Sequence, residues 1–81
     1  MTFVKLTGEA EFNRAFGGAV RFYRKQRKMT MQTMSDKMGI NKSSISKIEH
    51  GTQGASSATL IAISNALEVH VSALYLCAEL T

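Results

Sequence analysis

The sequence predicts a compact all-α fold, and three observations support that prediction. Its 81 residues include no proline or tryptophan and are 44% hydrophobic, which suits a helical core and disfavours a proline-punctuated β-sandwich. Apolar residues recur at spacings of three and four, the period that lines one face of a helix. Residues that cap helices and glycines that end them separate these stretches. A chain of this length is expected to form one domain over residues 1–81.

The first helix is expected to follow residues 1–6, which we interpret as a short arm, either extended or irregular. Thr7 can cap this helix, and Glu9 and Glu11 supply the acidic charge that a helix N-terminus favours. The adjacent residues Gly17 and Gly18 fall inside it, and each costs about 1 kcal/mol relative to alanine. Either the helix restarts at the glycines, or a neighbouring element passes too close for a side chain. The residues on its apolar face are Phe12, Phe16, Val20 and Tyr23.

Residues 30–51 have the pattern of two short helices joined by a tight turn. Thr30 is placed to cap the first helix and Gly39 to end it in a left-handed conformation. Asn41 is placed to cap the second helix, which Gly51 ends. A short connection suits two helices that cross steeply, so the pattern describes a helix-turn-helix. In DNA-binding proteins with this motif, the second helix enters the major groove.

Two more helices are expected after a polar loop. Ser56 or Ser57 caps a helix that reaches Leu67, and a terminal helix covers residues 71–80. This terminal helix is apolar on more than one face, so it needs its own core and a second partner. We predict a homodimer, although deep packing within the chain is the alternative. The predicted dimer-interface residues are Val71, Leu74, Tyr75, Leu76 and Leu80.

Positive charge is concentrated in the part of the chain that contains this motif. The net charge is +4, and all 10 Lys and Arg residues lie between Lys5 and Lys47. Such a distribution favours a polyanionic partner, for which double-stranded DNA is the prediction. The cations outside the motif are expected to add a general positive field that attracts phosphates. They include Arg14, Arg21, Lys25, Arg27 and Lys28.

No catalytic or metal-binding pattern is found in the sequence. Cys77 is the only cysteine, and it does not form a metal-ligand spacing with His50 and His70. The Ser-x-x-Lys match that begins at Ser44 lacks the other motifs of penicillin-binding enzymes. We therefore predict no enzyme activity, cofactor, metal or small-molecule ligand. No apolar run approaches membrane length, so the expectation is a cytoplasmic protein without a membrane partner.

Residues from Phe16 to Tyr75 carry a resemblance to a known family. They are Phe16-Gly17, Val20, Arg24, Met29-Thr30, Met34-Ser35, Gly39, Ile45-Ser46, Ile48-Glu49, Gly51, Leu60, Ile63, Ala66-Leu67, Val69 and Leu74. These residues resemble the pattern of the λ-repressor-like (Xre/Cro) helix-turn-helix domains. The resemblance runs without insertions or deletions from about Phe16 to Tyr75. This resemblance implies a five-helix domain that binds operator DNA as a symmetric dimer and regulates transcription.

The resemblance also implies roles for particular residues. Arg24 and Glu49 occupy positions that commonly form a partly buried ion pair between the first helix and the end of the third. Met31 stands where the family commonly has a Gln that clamps a phosphate, so that clamp is not expected here. Ser35 replaces the usual Ala at a close helix contact, which is a mild change. Asn41 falls at a contact position, with a purely capping role as the alternative.

Base contacts are predicted on the exposed face at the start of the third helix, where Lys can address guanine and Ser several bases. The candidates are Asn41, Lys42, Ser43 and Lys47. Phosphate contacts are predicted around the motif, at Thr30, Gln32, Ser44, Ser46, His50, Thr52 and Gln53. The predicted function is a transcriptional regulator, a repressor, that binds a palindromic operator through residues 41–50. An antitoxin or anti-regulator module that binds another protein is the alternative.

Overall fold

The computed structural model describes residues 8–79, with side chains as far as Ala78. Within this range the chain is all-α, as predicted, with five helices and no strand. The predicted arm at residues 1–6 lies outside the described residues, as do Thr7 and Leu80. The helices are α1 Glu9–Gln26, α2 Met31–Met38, α3 Lys42–His50, α4 Ser57–Leu67 and α5 Val71–Glu79.

Local capping interactions set most of the helix boundaries. Gly39 and Gly51 end α2 and α3 with φ values of 71° and 78°, the left-handed conformation that glycine adopts readily. Helix α1 begins after Gly8, which has no capping side chain. The side chains that accept from a backbone N–H are Thr30 from Thr33 at 3.0 Å, Asn41 from Ser44 at 2.9 Å and Ser56 from Thr59 at 3.2 Å.

The core forms where α1 packs against α3 and α5, with α2 and α4 completing the enclosure. Methionine, leucine and β-branched side chains fill its centre with at most 1% of their surface exposed. Helical spacing predicted this burial for all of them except Leu74. The largest fully buried side chains are Met34, Ile45, Ile63, Leu67, Leu74 and Val20.

Helix α5 is packed on one face and exposed on the other. Leu74 and Ala78 are completely buried, and the ring centroid of Tyr75 lies 5.6 Å from that of Phe12. Leu74 therefore belongs to the chain's own core, and its predicted place in a dimer interface is wrong. Periodicity could not show this, because α5 is apolar on more than one side. Tyr75 and Leu76 keep 38% and 55% of their surface exposed.

The backbones of α1 and α3 touch at Gly17. Helix α1 continues through both glycines, so of the two explanations the close approach of a neighbour is correct. A Cβ atom on Gly17 would collide with the carbonyl oxygens of Ile48 and Glu49, the second at 2.6 Å. A Cβ atom on Gly51 would lie 2.7 Å from the Cα of Arg14. These contacts fix the end of α3 against α1.

No single described helix is both long enough and apolar enough to cross a bilayer, and α4 with α5 meets that test only across a 97° bend. Among the described side chains of residues 8–78, no three from His, Cys, Asp or Glu converge as metal ligands would.

Substituting alanine at each of the paired glycines tests the contact between α1 and α3. Gly18→Ala should raise the free energy of unfolding by about 1 kcal/mol, because nothing lies within 4 Å of the added methyl group. Gly17→Ala should lower it by about 1–3 kcal/mol, because the methyl group meets backbone atoms. Urea unfolding of the two variants measures both values. Equal effects would contradict the proposed constraint.

Candidate nucleic-acid interface

Helix α3 separates an exposed polar face from a buried apolar one. Ile45 and Ile48 retain 1% and 2% of their surface and anchor the helix in the core. Three of the four predicted base-contact residues lie at the start of the helix and Lys47 lies in its last turn, and all four are exposed. Their neighbours Ser44 and Ser46 are half-buried. The exposed set comprises Asn41, Lys42, Ser43 and Lys47.

Asn41 is the helix cap, one of the two roles considered for it. Its Oδ1 accepts a hydrogen bond from the backbone N–H of Ser44 at 2.9 Å. The same oxygen lies 2.9 Å from the hydroxyl of Ser43. The amide Nδ2 is the group that Asn41 can still offer to DNA, since its oxygen is already engaged.

The side chains at the other end of α3 also bond to their own helix. Nδ1 of His50 lies 2.7 Å from the carbonyl oxygen of Ser46, so Nδ1 carries the proton in this contact and Nε2 remains for a ligand. The hydroxyl of Thr52 donates to the carbonyl oxygen of Lys47 at 3.3 Å. Gln53 follows in the exposed loop before α4. These predicted phosphate residues thus lie at the C-terminal edge of α3.

The N-terminal turn of α2 supplies the remaining predicted phosphate residues. Thr30 is exposed and caps the helix, and Nε2 of Gln32 donates to Oδ1 of Asp36 at 2.9 Å. Met31 packs against the core as a half-buried side chain, which agrees with the absence of a polar clamp there. The backbone N–H groups of this turn can still bind a phosphate.

An ion pair fixes the end of α3 to α1. Arg24 donates from Nε to Oε2 of Glu49 at 2.7 Å and from Nη2 to Oε1 at 3.1 Å. Its Nη1 also donates to the carbonyl oxygen of Met29 at 2.8 Å. This bond ties the turn before α2 to the same arginine. The side chains of Arg24 and Glu49 are only 10% and 2% exposed. The hydrogen bond to Glu49, aided by its charge and opposed by burial, raises the pKa of Arg24.

Arg27 has a structural role that the sequence did not reveal. Its Nε donates to the carbonyl oxygen of Leu67 at 2.9 Å, and its Nη2 donates to that of Glu68 at 3.2 Å. These bonds satisfy carbonyl groups at the end of α4, where Glu68 adopts a left-handed φ of 57°. Arg27 was expected only to contribute to the positive field, because no local pattern indicates a contact across 40 residues.

Comparison with known proteins agrees with this architecture. Residues 20–74 match the family model HTH_3, described as a helix-turn-helix. The chain belongs to the HTH_3 helix-turn-helix family. A curated relative, the competence pilus inhibition repressor of Acinetobacter baylyi, is 43% identical over 63 residues. The match covers 78% of this HTH_3 chain and 57% of the relative, so the chain spans little more than half the length of that protein.

Solved structures share the fold of this HTH_3 chain. The clp gene regulator ClgR from C. glutamicum aligns with a TM-score of 0.80 at 24% identity, over 83% of this chain and 87% of that one. The restriction-modification controller protein C.AhdI from Aeromonas hydrophila aligns with a TM-score of 0.73 at 21% identity, over 75% of this chain and 92% of that one. An HTH_3 family transcriptional regulator from Vibrio cholerae aligns with a TM-score of 0.80 at 25% identity, over 85% of this chain and 39% of that one.

Removing one partner of the ion pair should destabilise the domain strongly. Glu49→Gln leaves the charge of Arg24 buried without its partner, which should lower the free energy of unfolding by about 3–5 kcal/mol. Glu68→Gln, at an exposed carboxylate, is the matched control and should change it by less than about 0.5 kcal/mol. Urea unfolding compares the two. A loss at Glu49 no larger than the control's would show that the pair does not hold α3.

Proposed function

We propose that this HTH_3 chain is a transcriptional repressor, not an enzyme, and that it inserts α3 into the major groove of a double-stranded operator. One observation carries the proposal: the start of α3 exposes donor side chains while its opposite face is locked into the core. The regulators named among its relatives support the same function. An α-helix of this kind fits the width of the major groove.

Sequence selection is assigned to the exposed face of α3, from its cap Asn41 to Lys47 in its last turn. Lys42 and Lys47 present ammonium groups that can donate to O6 and N7 of guanine. Asn41 contributes through Nδ2, since its oxygen caps the helix. Ser43 is the fourth base-contact residue, and its hydroxyl is already bonded to Asn41. The buried face of the helix fixes its backbone against the core, so the positions from which these side chains extend are set before binding.

Phosphate contacts are assigned to the edges of the motif, where they would set register without carrying sequence information. The cations of α1 and α2 add the long-range attraction that makes binding sensitive to salt. In this proposal, the residues that contact phosphates are Thr30, Gln32, Ser44, Ser46, His50, Thr52 and Gln53.

A homodimer is proposed through the exposed face of α5. Leu76 is 55% exposed and Tyr75 38%, and Val71, one helical turn before Tyr75, is half-buried. Leu80, which lies outside the described residues, follows Leu76 at the helical spacing of four. Two copies related by symmetry would match a palindromic operator with half-sites about 10 bp apart.

Lysine substitutions separate base contacts from the general positive field. Lys47→Ala should weaken binding to the preferred operator by about 1–3 kcal/mol and relax specificity at one position, because a base contact is lost. Lys25→Ala, an exposed cation on α1, should weaken operator and random DNA alike and reduce the salt dependence. Binding titrations at several salt concentrations measure both. Equal losses on operator and random DNA for Lys47→Ala would exclude it as a base contact.

The dimer proposal predicts a surface-specific effect of charge. Leu76→Glu should convert a dimer to a monomer, because a carboxylate would be buried in the interface. Phe22→Glu places the same charge on α1, at a side chain that is also 50% exposed, and should leave the dimer intact. Sedimentation at micromolar concentration reports the mass of each. A monomeric wild-type protein, or a dimer that survives Leu76→Glu, would contradict the interface.

A further inference from the structure

The cap at the start of α3 fixes the direction of a hydrogen bond on its exposed face. Oδ1 of Asn41 lies 2.9 Å from the backbone nitrogen of Ser44, and a backbone N–H can only donate. The atom at this position must therefore be the amide oxygen rather than the amide nitrogen. An amide oxygen can only accept, and it has two lone pairs.

The second lone pair of that oxygen determines the state of the Ser43 hydroxyl. Oγ of Ser43 lies 2.9 Å from the same Oδ1 of Asn41. Because the amide oxygen accepts, the hydroxyl must donate its single proton to it. The hydroxyl of Ser43 then has only lone pairs for any other partner. An otherwise versatile side chain is thereby presented to solvent as an acceptor.

We propose that Ser43 recognises the exocyclic amino group of an adenine or cytosine, an inference that rests on the proposed major-groove function of α3. In the major groove, adenine N6 and cytosine N4 donate, whereas guanine O6 and thymine O4 accept. An acceptor on α3 thus selects an amino base on the strand it faces. Its neighbours Lys42 and Lys47 carry only donors and select the opposite pattern.

The same geometry disfavours a phosphate contact for Ser43. Phosphate oxygens accept, so a serine that binds one must donate its proton. Ser43 would first have to give up its hydrogen bond to Asn41, which also supports the cap. Asn41 therefore acts on specificity through its neighbour, as a positioning residue that sets the polarity of the Ser43 hydroxyl.

Selection of operators from a random duplex pool tests this inference. Wild-type protein should enrich one particular base pair at a Ser43-dependent position of each half-site. Every base pair carries one amino group in the major groove, so removal of that group alone decides whether Ser43 contacts it. Ser43→Thr keeps the hydroxyl and should keep that preference. Ser43→Ala should lose it and retain the preferences at other positions. Asn41→Asp keeps an oxygen that accepts the proton of the Ser43 hydroxyl, so this variant should retain the preference. Asn41→Ala frees that proton and should relax the preference.

Operators with a single altered base give the quantitative test. Replacing the selected adenine by purine, or the selected cytosine by 2-pyrimidinone, removes only the amino group. Wild-type affinity should then fall about three- to tenfold, the value of one hydrogen bond, and that of Ser43→Ala should not change. Circular dichroism checks that each variant remains folded, so that a lost preference is not lost structure.

The possible failures are distinguishable. No enrichment of any sequence over random DNA would overturn the proposed function, and this inference with it. An enriched operator in which removal of the amino group at the Ser43-dependent base pair leaves wild-type affinity unchanged would overturn the inference alone. The inference would also be overturned if Ser43→Ala left every base preference unchanged. It would be overturned too if Ser43→Ala weakened binding to operator and to random DNA equally, as the loss of a phosphate contact would.

Discussion

The direct contact between the backbones of α1 and α3 is the constraint on which the rest of the structure depends. Gly17 permits it near the end of α3, and Gly51 permits a second approach beside Arg14. The bidentate pair of Arg24 and Glu49 fixes the rotation of the same two helices. A helix as short as α3 is unstable alone, so its orientation comes from this packing.

Rigid support of α3 gives its exposed side chains a defined geometry before any partner binds. Ile45 and Ile48 hold the inner face, and Asn41 completes the first turn. The cap also orients the hydroxyl of Ser43, so a residue that stabilises the helix influences the chemistry of its exposed face. In the proposed function, the same amide oxygen of Asn41 contributes both to helix stability and to base selection by Ser43.

Features that depend on neighbouring residues could be predicted from the sequence. The caps at Thr30 and Asn41 and the glycine that ends α3 act within one turn, so residue type reveals them. Contacts between distant segments could not be derived in this way. The bond from Arg27 to Leu67 spans 40 residues without a local signal, and periodicity could not assign Leu74 to the core of an apolar helix. The ion pair of α1 and α3 was expected only from family resemblance.

Backbone-amide NMR of the protein titrated with its selected operator shows directly whether the exposed face of α3 contacts DNA. The predicted result is that the largest chemical-shift changes fall on residues 41–47, with smaller ones near Thr30 and Thr52. Amides of α4 and the outer face of α1 around Phe22 should change little. If the largest chemical-shift changes fell around Phe22 and the amide signals of α3 did not shift, α3 would not be the DNA-binding element.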